Sequence, residues 1–296
     1  MSDLPRREFG NSGLVVSALG FGAGQIGAAR LTERQAEVLL NGVLDRGVTL
    51  IDTARGYGLS EERIGKYLSH RRHEFVLSTK VGYDVPGYAD WTYDCILAGI
   101  DAARQRLQTD VIDIVHLHSC SIEVLRDGAV VDALDEARRD GKIRVAAYSG
   151  ENEALDFAIA SGRFQSIETS INLCDQRGID WALPRTLAQR LGVIAKRPVA
   201  NAPWRFAQRP IGDYAEEYWL RWRAMDIDPR GFDWQELACR FTAYLPGVHG
   251  CITGTTNLDH LRRNAEFMAK GPLPDDLIDV IRQTFKAHDQ NWTGQV

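Results

Sequence analysis

A closed parallel (β/α)8 barrel, with an N-terminal β-hairpin and a long insertion after its seventh strand, is the fold this sequence predicts. Short β-branched runs alternate with amphipathic helical stretches eight times over. The strand centres, such as VIDIV and GVIA, are nearly continuous apolar runs, as parallel strands buried on both faces require. The length of 296 residues suits one such barrel, which typically takes about 250. Residues 1–296 therefore read as a single domain, with no linker or low-complexity tract to divide them.

Taken in order, residues 6–18 predict a hairpin turning at Asn11–Gly13, placed to close the bottom of the barrel. The strands are expected at 19–23, 48–53, 74–81, 111–118, 143–149, 166–172, 193–197 and 248–253. Helix starts are written between them. Thr32 with Gln35 has the form of a capping box, followed by Ala36, Leu39, Leu40, Val43 and Leu44 at helical spacing and by Gly47 as a stop. Asp233 with Glu236 repeats the pattern ahead of Leu237, Ala238 and Phe241. Pro184 is expected in the first turn of the sixth helix. Residues 198–232 form the insertion, with a helical piece at 213–225 whose Trp219 and Trp222 are expected to pack on the barrel. The tail from Pro274 adds one more helix.

Composition excludes several classes. A formal charge of −5, from 35 basic and 40 acidic residues, argues against a general grip on nucleic acid. No run approaches the 18 apolar residues of a membrane span, and no signal peptide opens the chain. Five cysteines without paired spacing read as reduced thiols, which points to the cytoplasm.

Active sites in such barrels lie at the C-terminal ends of the strands. There the sequence places Asp52 and Tyr57 after the second strand, Lys80 at the end of the third and His118 at the end of the fourth. Alone, each has a plain alternative: a capping Asp, a loop Tyr, a solvent-reaching Lys, a satisfied His. Together they form acid–base machinery. A carboxylate holds the lysine charged, the ammonium is expected to lower the tyrosine's affinity for its proton, and the histidine orients a carbonyl oxygen. The array contains no metal-ligand pattern.

The segments IDTARGYGLSEERIGKYL, FVLSTKVG and DIVHLHS, in this order and spacing, resemble the signature segments of the aldo-keto reductases, in a divergent bacterial-type branch. The likeness runs from the hairpin to the segment ITGTTNLDHLRRN. It implies an NAD(P)H-dependent oxidoreductase acting on aldehydes or ketones, sugar-like ones included, with Asp52, Tyr57, Lys80 and His118 as the catalytic group. It implies NADPH as cofactor, NADH being the alternative, held by Gly22, Ser149, Glu168, Lys196, Arg197, Gly254, Thr255, Thr256, His260 and Asn264, with Arg262 or Arg263 on a 2′-phosphate. Three residues depart from the family's pattern around the nicotinamide. Gly150 follows Ser149 where the family has Asn, Glu168 replaces Gln, and Lys196 replaces an aromatic residue. Either Lys196 repels the oxidised ring or Glu168 neutralises it.

Trp91 and Trp204 are expected to wall a small carbonyl substrate. The protein is expected to be a monomer or small homo-oligomer. Two other readings stay open: a cofactor-binding regulatory subunit with little turnover, and a barrel isomerase or lyase without redox chemistry.

Overall fold

The computed structural model describes residues 4–295. Strands β1 (Arg6–Glu8) and β2 (Val15–Ser17) pair antiparallel, Arg7 opposite Val16. Eight further strands close a parallel barrel in chain order: β3 (Leu19–Gly22), β4 (Leu50–Asp52), β5 (Val76–Val81), β6 (Ile112–His118), β7 (Ile143–Ser149), β8 (Ser166–Ser170), β9 (Gly192–Lys196) and β10 (Gly250–Thr253), which returns to β3. All eight lie within two residues of the bounds that predict them.

The helices are α1 (Glu33–Leu44), α2 (Ser60–Leu68), α3 (Tyr93–Leu107), α4 (Ile122–Asp127), α5 (Ala129–Arg139), α6 (Asn152–Ala160), α7 (Arg177–Gln189), α8 (Glu216–Met225), α9 (Trp234–Ala243), α10 (Leu258–Ala269) and α11 (Asp275–His288). Among the described residues, none is long and apolar enough to cross a membrane. Thr32 forms its capping box with Gln35, and the Asp233 side chain accepts from the amides of Gln235 and Glu236. Pro184 corrects the expectation: α7 begins seven residues earlier, so the proline lies in its interior. Its missing N–H leaves the carbonyl of Asp180 without the usual helical donor. In the insertion, α8 turns Tyr218, Arg221 and Met225 inward, while Trp219 and Trp222 remain half-buried.

Two apolar layers result. Between strands and helices runs the larger core, including Leu19, Phe21, Ile51, Leu77, Val115, Ile167 and Val193. Inside the barrel, Leu50, Val76, Ile114, Val145, Ile194 and Ile252 meet Phe9, Leu14 and Val16 from the hairpin and seal the bottom. Phe9 fits there because residue 192 is glycine, where a Cβ would stand 2.3 Å from its ring. Side chains alternate along a strand, so the positions two and four residues beyond this apolar layer also point inward. These are Asp52, Ser78, Lys80, His116, His118, Ser149 and Lys196, joined by Glu168 from β8 at the level of Ile194, and the upper half of the barrel is therefore polar. After α11, Trp292 meets Phe285 edge-on, and the carbonyls of Thr293 and Gln295 accept hydrogen bonds from Arg221 and Arg197.

Candidate active site

At the centre of the polar half lies Lys80, 1% exposed. Its Nζ is 2.5 Å from Asp52 Oδ2 and donates to the carbonyl of Thr53 at 3.1 Å. A second carboxylate approaches from across the barrel: Glu168 Oε2 lies 3.4 Å from the same Nζ. Ser78 Oγ donates to Asp52 Oδ1 at 2.8 Å, so its oxygen accepts from His116 Nε2 at 3.1 Å. Ser149 Oγ donates to Glu168 Oε1 at 3.2 Å. Asp52, His116 and Glu168 bring ligand atoms within 4.8 Å of one another, but the Lys80 ammonium is wedged among them and supplies the positive charge there.

One ammonium faces two buried carboxylates, and the titration of the group follows from that ratio. Burial, then the charge of Glu168, pushes Asp52 up to about 7 against the pull of Lys80. Burial works against Glu168 too, but Lys80, His116 and Lys196 outweigh it and hold this carboxyl down at about 2. Lys80 itself is raised, because Asp52 and Glu168 outweigh its burial.

Tyr57 rides on the loop between β4 and α2, with its ring centroid 5.4 Å from Lys80 Nζ. Gly27 is what lets that loop come in. A Cβ at residue 27 would stand 1.5 Å from the Tyr57 carbonyl oxygen, and the Gly27 carbonyl accepts from Leu59 N at 3.1 Å. The expectation that Lys80 lowers the tyrosine's proton affinity is corrected here. Lys80 does pull it down, but burial together with the charges of Asp52 and Glu168 reverses the sign, and the phenol is pushed up to about 12. His118 faces Tyr57 edge-on with centroids 6.0 Å apart, and burial pushes it down to about 3. Its Nδ1 is 2.8 Å from Tyr83 Oη, which stacks on it, and Trp91 packs against Tyr83.

At the ends of β9 and β10 opens a cavity of about 910 Å³. Of the residues expected to hold a cofactor, Arg197, Gly254, Thr255, Thr256, His260 and Asn264 line it, together with Arg263 and the start of α10. Gly22 ends β3 beside Gly254, and a Cβ there would sit 3.6 Å from the Gly254 amide. His260 Nδ1 and Thr255 Oγ1 are 3.4 Å apart. Arg262 lies outside the lining and pairs with Glu266 at 2.6 Å, while Arg263 lies within it. Trp204 lines this same cavity, stacked on Trp234 with centroids 5.8 Å apart, whereas Trp91 stands on the His118 side. The two tryptophans therefore do not share one wall.

Ser149 and Glu168 lie outside that lining and are engaged within the barrel. Nor does Glu168 pair with Lys196. That lysine goes to Glu151 Oε1 at 3.2 Å, and Glu151 also accepts from Ser170 N and Thr169 Oγ1. Arg197 donates to Ser170 Oγ at 2.8 Å and to Tyr214 Oη. Sequence reading passed over His116, Ser78, Glu151 and Gln25, the last of which lines the cavity. The signal for the first two was present, since each lies two residues before a chosen inward residue.

The model of the aldo/keto reductase family matches residues 18–285. The chain belongs to the aldo/keto reductase family. It is 26% identical to an uncharacterized oxidoreductase of Bacillus subtilis (strain 168), over 96% of this chain and 99% of the relative. It is 27% identical to a D-threo-aldose 1-dehydrogenase of a Pseudomonas species, over 87% and 91% respectively. The holo form of an aldo-keto reductase from Bacillus halodurans superposes with a TM-score of 0.83 at 27% identity, covering 95% of this chain and 96% of that one. As a member of this family the protein is an oxidoreductase with an active-site barrel. The buried Asp52–Lys80 pair, Tyr57 and His118 stand at the C-terminal strand ends, where barrel active sites are built.

Proposed function

We propose that this protein reduces aldehyde or ketone groups, sugar-like carbonyls included, with Tyr57 giving the proton to the carbonyl oxygen. The observation that carries this reading is the contact of Lys80 with Asp52, fully buried below the Tyr57 ring and opposite His118. Four chemically complementary groups from three consecutive β-strand ends meet there, and titratable groups assembled in this way mark functional sites. The aldose-acting relative supports a sugar-like substrate.

The neighbouring cavity fits a dinucleotide in size and in lining. Its 910 Å³ falls at the upper end of the roughly 300–1,000 Å³ of ligand sites. Thr255, Thr256, Asn264 and the amides opening α10 offer donors to phosphate, with Arg263 and His260 beside them. A bound nicotinamide cofactor, NADPH with NADH as the alternative, supplies hydride.

The chain's own residues do the rest. A phenol held near 12 is protonated throughout the physiological range and available as an acid. Lys80, fixed by Asp52, supplies a positive charge beside the phenolate left after proton transfer. His118 stays neutral, and in the tautomer that accepts at Nδ1 from Tyr83 its Nε2 carries the hydrogen that can orient a carbonyl oxygen. Tyr83 and Trp91 wall that side.

Tyr57→Phe tests the reading, because it removes the proton and almost no volume. Turnover of an activated aldehyde should fall by about 10²–10⁴-fold. Cofactor affinity, followed by fluorescence titration, should stay within a few-fold of the parent. Near-parental turnover would rule Tyr57 out as the acid.

A further inference from the structure

The second carboxylate on Lys80 is the feature that the proton-transfer reading leaves unused. Glu168 is 1% exposed, and its Oε1 is held by Ser149 Oγ at 3.2 Å. Its Oε2 lies 3.4 Å from Lys80 Nζ and 3.8 Å from His116 Nε2, and among the described residues it takes no hydrogen bond of its own. Asp52 alone would balance the ammonium, since it already makes the closer contact. With both carboxylates ionised the cluster carries one more negative charge than the ammonium balances. Burying such a charge costs free energy, and its retention calls for a consequence at the group it faces.

We propose that Glu168 is a positioning residue of the proton-transfer site: as a second carboxylate on Lys80 it offsets the ammonium's stabilisation of the Tyr57 phenolate, so that residue 57 stays a protonated phenol to higher pH than Lys80 and Asp52 alone would allow. The proposal rests on Tyr57 as the proton carrier. The groups facing Glu168 are Lys80 from β5, Asp52 from β4, His116 and His118 from β6, and Lys196 from β9, with Tyr57 above them. His116 and His118 are neutral above about pH 4, since burial holds both down. Lys196 is balanced by Glu151. Above about pH 7, where Asp52 is ionised as well, the charges left near the phenol are thus Lys80, Asp52 and Glu168, one positive against two negative. Carbonyl reduction needs the protonated phenol, which this balance keeps populated throughout the physiological range. Alcohol oxidation needs the phenolate to accept one, and a net negative neighbourhood withholds the phenolate until strongly alkaline pH.

Glu168→Gln removes the charge and keeps the shape. Its effect is read on the protein without cofactor, as the ultraviolet absorbance of tyrosinate against pH. Subtracting the same titration with Tyr57→Phe added isolates residue 57 from the other tyrosines. In the parent, the Tyr57 midpoint should lie near pH 12. In Glu168→Gln its midpoint should drop by at least about one on the pH scale, the lower end of what a nearby charge achieves. The pH above which an alcohol is oxidised should drop with it. Glu168→Asp, which keeps the charge, should stay closer to the parent than to the Gln variant. If Glu168→Gln does not fold, Glu168→Met removes the same charge with a side chain that adapts to its surroundings, and must show the same drop. An unchanged Tyr57 midpoint in either folded neutral variant overturns the proposal, and so does an Asp variant that behaves like Gln. The two levels separate cleanly. An active Tyr57→Phe enzyme defeats the proton-donor reading itself, whereas an inactive one with an unmoved midpoint in Glu168→Gln defeats only the role given to Glu168.

Discussion

Replacing Lys80 by Met should destabilise the fold strongly, and by an amount that depends on pH in a predictable direction. The substitution keeps much of the side chain's length but leaves Asp52 and Glu168 facing each other with no cation between them, both about 1% exposed. Breaking a buried pair from one side costs about 3–5 kcal/mol, and here two carboxylates lose their partner at once. For a chain of this size that corresponds to a fall in Tm on the order of 10 °C. Protonation offers the escape. Asp52 is already raised to about 7 with the ammonium present, and losing it raises the carboxyl further. The folded variant then binds more protons than the unfolded chain between the ordinary carboxylate range and pH 7 or above, so its stability falls as pH rises through that window. Glu168 works in the same sense. Its depressed value in the parent contributes stability above the carboxylate range, and that contribution disappears with Lys80. The deficit relative to the parent should therefore be full near pH 8 and shrink markedly by pH 5. Urea unfolding followed by circular dichroism at both pH values measures it. A deficit below about 1 kcal/mol, or one of equal size at pH 5 and pH 8, would refute the picture of two carboxylates balanced on one ammonium.

Gly27→Ala should push the Tyr57 loop away, because the new methyl would stand 1.5 Å from a backbone oxygen; kcat/KM should fall tenfold or more at a stability cost of about 1–3 kcal/mol. Gly24→Ala is the control, since its Cβ would meet the Tyr57 ring at an ordinary 3.7 Å. His116 and His118, held by burial at about 4 and 3, stay neutral while the unfolded chain takes up protons near 6.5. Their contribution to stability is therefore complete above 6.5 and is lost as pH falls towards 4. His116→Asn should flatten that decline by up to about 1.4 kcal/mol per pH unit in urea midpoints, and an unaltered slope would show that His116 is not held neutral.

The barrel was legible because its signals are local. Parallel strands buried on both faces must be apolar throughout, so runs such as VIDIV mark themselves, and capping pairs such as Thr32 with Gln35 mark where helices begin. The meeting of Asp52, Lys80, His118 and Tyr57 was legible for the same reason, since strand ends in a barrel converge by construction. What stayed hidden depends on distance across the barrel. Nothing within the segment SIETS says that Glu168 will reach Lys80 rather than Lys196, because the choice is set by which side chains share a level inside the closed sheet. The proton affinity of Tyr57 was misjudged on the same ground: a pair of charges was weighed where a set of three decides. Pro184 misled because a helix-start signal was read without its context, seven residues inside a helix that packing had already begun.

The apolar plug beneath the barrel has a consequence for how the reaction centre communicates with bulk water. Phe9, Leu14 and Val16, with the ring of strand residues above them, close the lower exit, so Asp52, Lys80 and Glu168 sit in a vessel open at one end only. Hydrogen isotope can then reach the Lys80 ammonium only from the mouth, past Tyr57 and His118, and whatever occupies the mouth acts as its stopper. Exchange at this cluster should thus be timed by the opening of the loops above it and be indifferent to fraying of the hairpin below. The reaction's proton would be drawn from a small enclosed reservoir that refills between turnovers.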